Sequence, residues 1–544
     1  MHDGRQELTR TGRRRVLVTM CVALALVVSA VASLNIALPA VAAGTGASQT
    51  ELQWIVDAYA LVFAGLLLFS GAVGDKYGRR HTLVIGLAVF GGAYAVGALV
   101  DDPALLIAVR AVAGVGSALV MPSTLSIITT AFPPEERSRA VGTWAGVAGG
   151  GAVLGLLISG VLVEVADWQW VFAANAAWAA LALAAAVRWV PHSREPGQPP
   201  LDHAGAALSA LGLAGVIFAT IEGPTRGWSD ALVVGGYVAG GILLAAFVAW
   251  ELRAAHPMLD PRLFARRGFR TGTVSMTLQF FALFGFFFGG LQYLQLVRGY
   301  SPLEAALALV PLAITVALLS RVAAPRLVNR FGHRRVDAAG LAVLAGGFAV
   351  LATLDVDSSY PHILGGLVPL AAGVGLATTP ATASIVAALP AGKQGVASAV
   401  NDTAREVGGA VGIAVLGSVL NSGYREGIAA HTAQLPAEVA GHARDSLAFV
   451  VHAAGRFGAP GEQLLAAARA SFVDGLSTTM VVAAVVMAAG ALVVHGRGGR
   501  TDHAAAAGTA AAGTAAAGSG AAAPEIAPVA GAAGDGDAAA VAPR

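Results

Sequence analysis

The chain has 544 residues, 56% of them apolar and only 12% charged, with a net charge of +2 and a mean hydropathy of +0.70. A soluble protein carries about twice that charged fraction, so a string of water-soluble domains is excluded. The single cysteine, Cys21, leaves no internal disulfide to form, and its apolar setting suits a small filler.

Apolar segments recur every 25–35 residues. Each is about long enough to cross a ~30 Å hydrocarbon core as a helix that satisfies its own backbone. The pattern predicts an all-α polytopic membrane protein. In chain order the predicted spans are 16–37, 54–73, 82–100, 104–124, 139–163, 171–190, 204–223, 231–250, 271–297, 303–323, 337–354, 362–387, 397–420 and 472–495. The first follows Arg13–Arg15, is too long for a signal-peptide core and lacks a convincing small-residue cleavage site. With the N-terminus assigned to the cytoplasm, 24 Lys and Arg fall on that side. Only six, Arg226, Arg298, Arg425, Arg444, Arg456 and Arg469, fall on the other. The bias places both termini in the cytoplasm of a cell inner membrane. Arg outnumbers Lys 32 to two, a usage that fits GC-rich bacterial coding.

Between spans two and three stands "GAVGDKYGRR" (71–80), echoed by "VNRFGHRR" (328–335) after the tenth span. Asn329 to Arg334 match Asp75 to Arg80. If spans seven and eight are an insertion, each copy follows the second span of a six-helix half, the arrangement of a parallel-repeat transporter. The expected organisation is an N-terminus (1–15), a six-helix half (16–190) and a polar linker with an inserted helix pair (191–269). A second six-helix half (270–495) follows, with a large external loop (421–471) of some amphipathic helical character. The Ala/Gly-rich tail (496–544) cannot bury a core and is expected to be disordered.

Several residues carry chemistry in this setting. Gly71, Gly74 and Gly78 allow close helix approach and a sharp turn. Asp75 can accept charge-assisted hydrogen bonds from Arg79, Arg80 or a base on a neighbouring helix. Arg110, inside span four beside Gly114 and Gly116, must face a cavity or a partner, because a guanidinium left in hydrocarbon costs at least about 2.5 kcal/mol. Asp57 lies near the external start of span two beside Trp54 and Tyr59. Asp402 and Glu406 share a face of span thirteen, with Arg405 between them, and two carboxylates so close titrate as a pair. Glu222 and Glu304, near span ends, are expected to be solvated. Span nine is crowded with phenylalanine. Every face of this helix is apolar, so periodicity does not say which side chains face inward. Those that do, with Met276, Phe284, Gln292, Tyr293, Gln295, Trp54 and Tyr59 as candidates, could line an apolar, weakly polar cavity for flat amphipathic molecules.

Five stretches then carry a family resemblance: "LNIALPAV" (34–41), "ELQWIVDAYALVFAGLLLFSGAVGDKYGRR" (51–80), "RAVAGVGSALVMPSTL" (110–125), "QYLQLVRGYSPLEAALALVP" (292–311) and "GVASAVNDTAREVGGAVGIAVLGSVL" (395–420). In this order and on this topology the chain resembles the fourteen-helix drug:proton antiporter branch of the major facilitator superfamily, from about residue 33 to 420. The resemblance implies two six-helix halves plus an inserted pair, and proton-driven export of amphipathic drugs or antibiotics by alternating access. It also implies that the 71–80 network latches an outward-facing state and that Arg110 is linked to proton transfer. "GVAGGGAVLGLLISG" (146–160) resembles the antiporter motif, whose Gly151, Gly155 and Gly160 are expected to pack across the interface between halves.

Two departures matter. The family's Gly-Pro reads Gly155-Leu156 here, and its Gly-Gly reads Ser159-Gly160, which removes an expected kink. The acid that many relatives carry in span one is Ala30 here. Proton coupling is therefore expected to fall on Asp57, Asp402 or Glu406, with Arg110 and Arg405 as modulators. Expected partners are small amphipathic substrates, protons and the bilayer, for a monomer with no cofactor, no metal and no nucleic acid. The alternatives are a facilitator for one specific metabolite, a polytopic membrane enzyme or a channel. No HExxH, GxSxG, GxxxxGK[ST] or Asp-rich metal motif supports an enzyme, and no filter-like repeat supports a channel.

Overall fold

The computed structural model describes residues 9–193, 200–389, 394–456 and 458–496. The tail expected from 501 onward lies outside the described residues. Fourteen long helices occupy the fourteen predicted spans: α1 (Arg10–Thr45), α2 (Gln49–Tyr77), α3 (Arg79–Gly97), α4 (Pro103–Ala131), α5 (Pro134–Val165), α6 (Gln169–Trp189), α7 (His203–Arg226), α8 (Ala231–Glu251), α9 (Arg267–Val297), α10 (Pro302–Phe331), α11 (His333–Leu351), α12 (Tyr360–Ala387), α13 (Gln394–Thr432) and α14 (Ala459–Gly496). Twelve are long and apolar enough to cross a membrane. The other two, α5 and α11, open with charged turns before their apolar stretches. Among the described residues there is no strand.

Two boundaries differ from expectation. The external loop predicted over 421–471 is mostly helix, because α13 runs on to Thr432 and α14 already begins at Ala459. Two short helices, Ala437–Asp445 and Leu447–Ala453, fill the remainder. They dock through Tyr424, whose hydroxyl donates to Ala443 O (2.7 Å), and through an Arg425–Asp445 ion pair. The second difference is that α10 is interrupted at Leu309 and carries a π-turn over Leu319–Ala323.

The internal repeat has a geometric counterpart. Gly78 (φ +113°) and Gly332 (φ +82°) each end one helix and start the next, in a left-handed region that favours glycine. Lys76 lies over the Tyr77 ring and Arg330 over the Phe331 ring, at 5.6 and 5.3 Å. A glycine pair repeats as well. Gly86 and Gly116 bring α3 onto α4, and Gly340 and Gly373 bring α11 onto α12.

In the first half α1 packs on α5 and α6, α2 on α4, and α3 on α4 and α6; in the second, α9 packs on α12 and α13, and α12 on α10 and α11. The inserted α7 pairs with α8, yet also packs on α2 and α13, so it stands at the seam between halves. Without a hydrophobic drive between helices in lipid, such contacts rest on small residues and buried polar groups. A Cβ on Gly116 would lie 2.6 Å from Phe90 N, whereas one on Gly92 meets nothing within 4 Å. Gly116→Ala is therefore expected to cost about 1–3 kcal/mol of stability. Gly92→Ala should be neutral or gain up to about 1 kcal/mol in helix propensity. Melting of the two variants in detergent checks the contrast.

Candidate functional site

Arg110 is almost completely buried on α4, and its charge is met by three groups. Its Nε donates to Ile55 O (3.0 Å), its Nη1 donates to the Tyr94 hydroxyl (2.6 Å), and its guanidinium lies 4.2 Å from the Tyr59 ring centroid. The Tyr59 hydroxyl pairs with Ser117 Oγ at 2.6 Å. Gly114 makes this possible, since a Cβ there would stand 2.7 Å from Tyr59 O. Asp57, half a helical turn from Tyr59, is fully buried, and neither carboxylate oxygen has a hydrogen-bond partner among the described residues.

The second-half cluster stands on α13. Arg405 lies 3.7 Å from Asp402 Oδ1 and over the Phe280 ring (4.6 Å to the centroid). Glu406, one turn beyond Asp402, is buried, and its Oε2 has no partner among the described residues. Helix α13 packs on α2, the helix that carries Asp57 and Tyr59. Gly408 and Gly412 let α13 press against Thr277 and Phe281 of α9, where a Cβ would meet backbone.

The halves meet at the end remote from the basic loops. There Gln53 Nε2 donates to Ile413 O and Ala414 O (2.9 Å each), in a recess kept open by Gly417. Gln295 Nε2 donates to Ile36 O (3.0 Å), Glu164 accepts from Ser301 Oγ (2.8 Å), and Asn421 Nδ2 donates to Thr50 Oγ1 (3.1 Å). All hydrogen bonds between the halves among the described residues lie at this end. Helix α7 reinforces it: Trp54 Nε1 donates to Glu222 (2.9 Å), Ser418 Oγ donates to Thr220 O (2.6 Å), and Thr50 pairs with Thr225 (2.9 Å). Glu222, expected to be solvated, is instead held between Trp54 and Arg226. Glu304 caps its own helix with Ser301. Polar residues at helix ends gave no sign in the sequence of which helix they would face.

At the basic end, Asp75 Oδ1 accepts from Arg79 (2.8 Å). Arg80 turns away to His192 (2.8 Å) and Val187 O (2.5 Å). Among the described residues Asp75 has no contact with the second half. Gly71 and Gly74 are not at a tight helix crossing, since a Cβ on either would meet only ordinary contacts at 3.7 and 3.5 Å. Only Gly78 is used as expected.

Helix α5 runs unbroken, as the missing proline implies. Its glycines serve a different interface from the one expected. A Cβ on Gly155 would lie 2.5 Å from Ser29 O, Gly151 faces Ala25, and Ser159 Oγ donates to Ser33 O (2.7 Å). These are contacts with α1 inside the first half; the other half is reached by Gly160, against Pro302 and Leu303, and by Gly146, which faces Arg321. The seven side chains expected to line one cavity are dispersed. Trp54 faces α7, Tyr59 lies under Arg110, and Met276 and Phe284 are packed against neighbouring helices. Gln292 bonds back to Phe288 O (2.9 Å), Tyr293 donates to Asp355 O (2.7 Å), and Gln295 crosses to α1. A separate cleft of about 580 Å³ opens between α7/α8 and α13/α14, with Trp228, Tyr237 and Glu426 on its walls.

Two repeated helical halves, an inserted pair at their seam and charges buried inside the bundle define a polytopic helical transporter. The chain belongs to the Major Facilitator Superfamily, whose model matches residues 16–413. It is 36% identical over 430 residues to the puromycin resistance protein of Streptomyces alboniger, covering 78% of this chain and 85% of that one. It is 34% identical over 495 residues to the multidrug efflux pump LfrA of Mycolicibacterium smegmatis, covering 90% and 98%. A third relative, the cephamycin export protein CmcT of Amycolatopsis lactamdurans, is 36% identical over 450 residues (81% and 90%). Among solved structures, a bacterial homologue of the human lysosomal transporter Spinster, inward-facing and unoccupied, superposes with a TM-score of 0.64 at 16% identity, covering 90% and 98%.

The seam makes a testable demand. Glu222→Gln keeps the side-chain shape but weakens hydrogen bonds to a charged acceptor that are worth about 1.5–3 kcal/mol. The closed end should open about tenfold more often, seen as a longer distance between spin labels at the remote ends of α2 and α13. An unchanged distance distribution would mean that α7 does not hold the seam.

Proposed function

We propose that the protein exports amphipathic drugs or antibiotics across the cytoplasmic membrane in exchange for protons, with both termini in the cytoplasm. The observation that carries the reading is the one-sided closure. Among the described residues, hydrogen bonds join the halves only at the end remote from the basic loops, which supports reading this as an inward-open state of an alternating-access cycle. Similarity over most of the chain to proteins named for multidrug efflux, puromycin resistance and cephamycin export supports the substrate class. The positive-inside bias supports the orientation. The chain itself performs no covalent chemistry in this reading.

The proposed coupling groups are Asp57 and the Asp402–Glu406 pair, with Arg110 and Arg405 beside them. Asp57 is sealed just below the closed seam. An ionised carboxylate held there without a partner costs several kcal/mol, and opening that end to external water removes the cost. Proton occupancy of Asp57 is thereby tied to which end is open. The α13 pair, next to Arg405 and on the basic side of the seam, serves the opposite step. The 71–80 turn, with Asp75 and Arg79 already joined, forms a gate when the basic end closes.

Expression in a pump-deficient host should lower ethidium accumulation, and a protonophore should abolish the difference. Extrusion that persists without a proton gradient would sink the antiport reading. Asp57→Asn, Asp402→Asn and Glu406→Gln should each cut gradient-driven transport by about tenfold or more while sparing ethidium exchange. A merely structural member would instead lower the amount of folded protein. Asp75→Asn should slow cycling more than it weakens binding, and a wild-type turnover would reduce the 71–80 turn to a topology anchor.

A further inference from the structure

One buried carboxylate takes no part in the clusters above. Asp337 lies one turn into α11 from Gly332, and only 3% of it is exposed. Ser275 Oγ of α9 donates to its Oδ1 at 2.5 Å. Ser275 in turn accepts from Gln279 Nε2 (3.0 Å), and Gln279 Oε1 accepts from Thr378 Oγ1 of α12 (2.8 Å). Ser275 and Gln279 are themselves completely buried. The four groups form a polar file from the basic end toward the midplane. Gln279 stands twelve residues into α9, about 18 Å along a helix rising 1.5 Å per residue.

The file has a direction. The Thr378 hydroxyl shares its one hydrogen between the amide oxygen and Val374 O, each at 2.8 Å. The amide nitrogen donates to Ser275 and Ser275 donates to Asp337, so from Gln279 onward every donor points at the carboxylate. Such a chain is polarised by a negative end and strengthens cooperatively. The surrounding charges do not neutralise that end. Arg267 and Arg270 on α9, Arg326 and Arg330 on α10, His333 and Arg335 on α11, and His495 on α14 form no ion pair with Asp337 among the described residues, while Arg334 is engaged by an interaction of its own. Helix α12 carries no Asp, Glu, Lys or Arg.

We propose that Asp337 is a proton-exchanging residue of the second half, whose charge state reaches the midplane through Ser275, Gln279 and Thr378. Resting on the antiport reading, the step is an exchange with the water of the basic end alone. A proton from that side binds Asp337 and returns to the same side when the carboxyl ionises. No proton crosses the membrane at Asp337, and its charge state sets how readily the coupled cycle turns. When the proton binds Oδ1, the atom that Ser275 holds, the carboxyl becomes a donor there. Ser275 Oγ then turns to accept from it while keeping the bond from the Gln279 amide, and the file loses its pull toward a negative end. Helices α9, α11 and α12 are joined by this file, so its reversal biases how they pack. Asp337 thus acts through Gln279 as a positioning residue and need not touch the transported molecule.

The test uses the full chain in liposomes with ethidium as the transported probe and trapped pyranine reporting protons. Asp337→Asn should lower gradient-driven ethidium transport and ethidium-induced proton movement by about tenfold, with ethidium exchange kept within about twofold. Asp337→Glu should restore part of the coupling. If Asp337→Asn couples protons as the wild type does, the inference is wrong and the antiport reading stands. If the wild type itself moves no protons with ethidium, the antiport reading fails first. Should Asp337→Asn fail to fold, Ser275→Ala decides: it keeps the carboxylate, removes its donor and should shift the pH of half-maximal transport by about half a unit. An unshifted profile in Ser275→Ala would leave Asp337 as a packing residue and overturn the proposal.

Discussion

A helix in hydrocarbon uses up its own backbone hydrogen bonds, so nothing on its surface obliges it to adhere to a neighbour. Adhesion falls to the few places where glycine lets two backbones approach and where a spare polar side chain finds a partner. In this chain those places are concentrated. Gly86 with Gly116 and Gly340 with Gly373 weld equivalent helices in each half, and Arg110 is satisfied only because Gly114 lets α4 close on Tyr59. The rigid halves follow from these contacts, and the seam between them is left to a handful of hydrogen bonds.

That seam is the mobile part of the design. Gln53 pairs with bare backbone carbonyls of α13, at Ile413 and Ala414, in a recess that Gly417 leaves open. Each such bond is worth only about 1 kcal/mol net, so a few of them hold the end shut while allowing it to part. The inserted α7 touches both sides of the seam through Glu222 and Thr220. The extra helix pair is therefore not a passive addition to a twelve-helix core. It is placed to adjust how tightly the remote end closes.

Charges inside the bundle follow one rule. Arg110 is satisfied by carbonyl, hydroxyl and ring, and the charge of Arg405 faces Asp402 and Phe280 although its Nε has no partner among the described residues. The carboxylates of Asp57 and Glu406, by contrast, have no cation paired with them and keep unpartnered oxygens among the described residues. Fixed positive charge is thus compensated in place and negative charge is left conditional. A carboxylate can discharge by taking a proton and an arginine cannot. This asymmetry suits a machine whose conformation responds to protons, and the role proposed for Asp337 adds to it a second carboxylate site in the second half.

The sequence by itself determined what depends on composition and period. Fourteen helices, the bias of basic loops, the two Gly-aromatic-basic turns and the burial of Arg110 were legible, because each rests on local hydropathy or on the absolute cost of a charge in lipid. The identity of helix neighbours was not legible. Almost every face of these helices is apolar, so periodicity could not say that Gly151 and Gly155 would face α1 and not the other half, or that Trp54 would turn to α7. Asp337 was hidden for the same reason. It stands at the first position of the predicted span 337–354, beside His333, Arg334 and Arg335, where nothing in the sequence says what it meets. Only the packing of α9 against α11 brings Ser275 to it and buries it. In a chain this apolar, sequence sets which residues enter the membrane, and tertiary packing alone decides which of them meet.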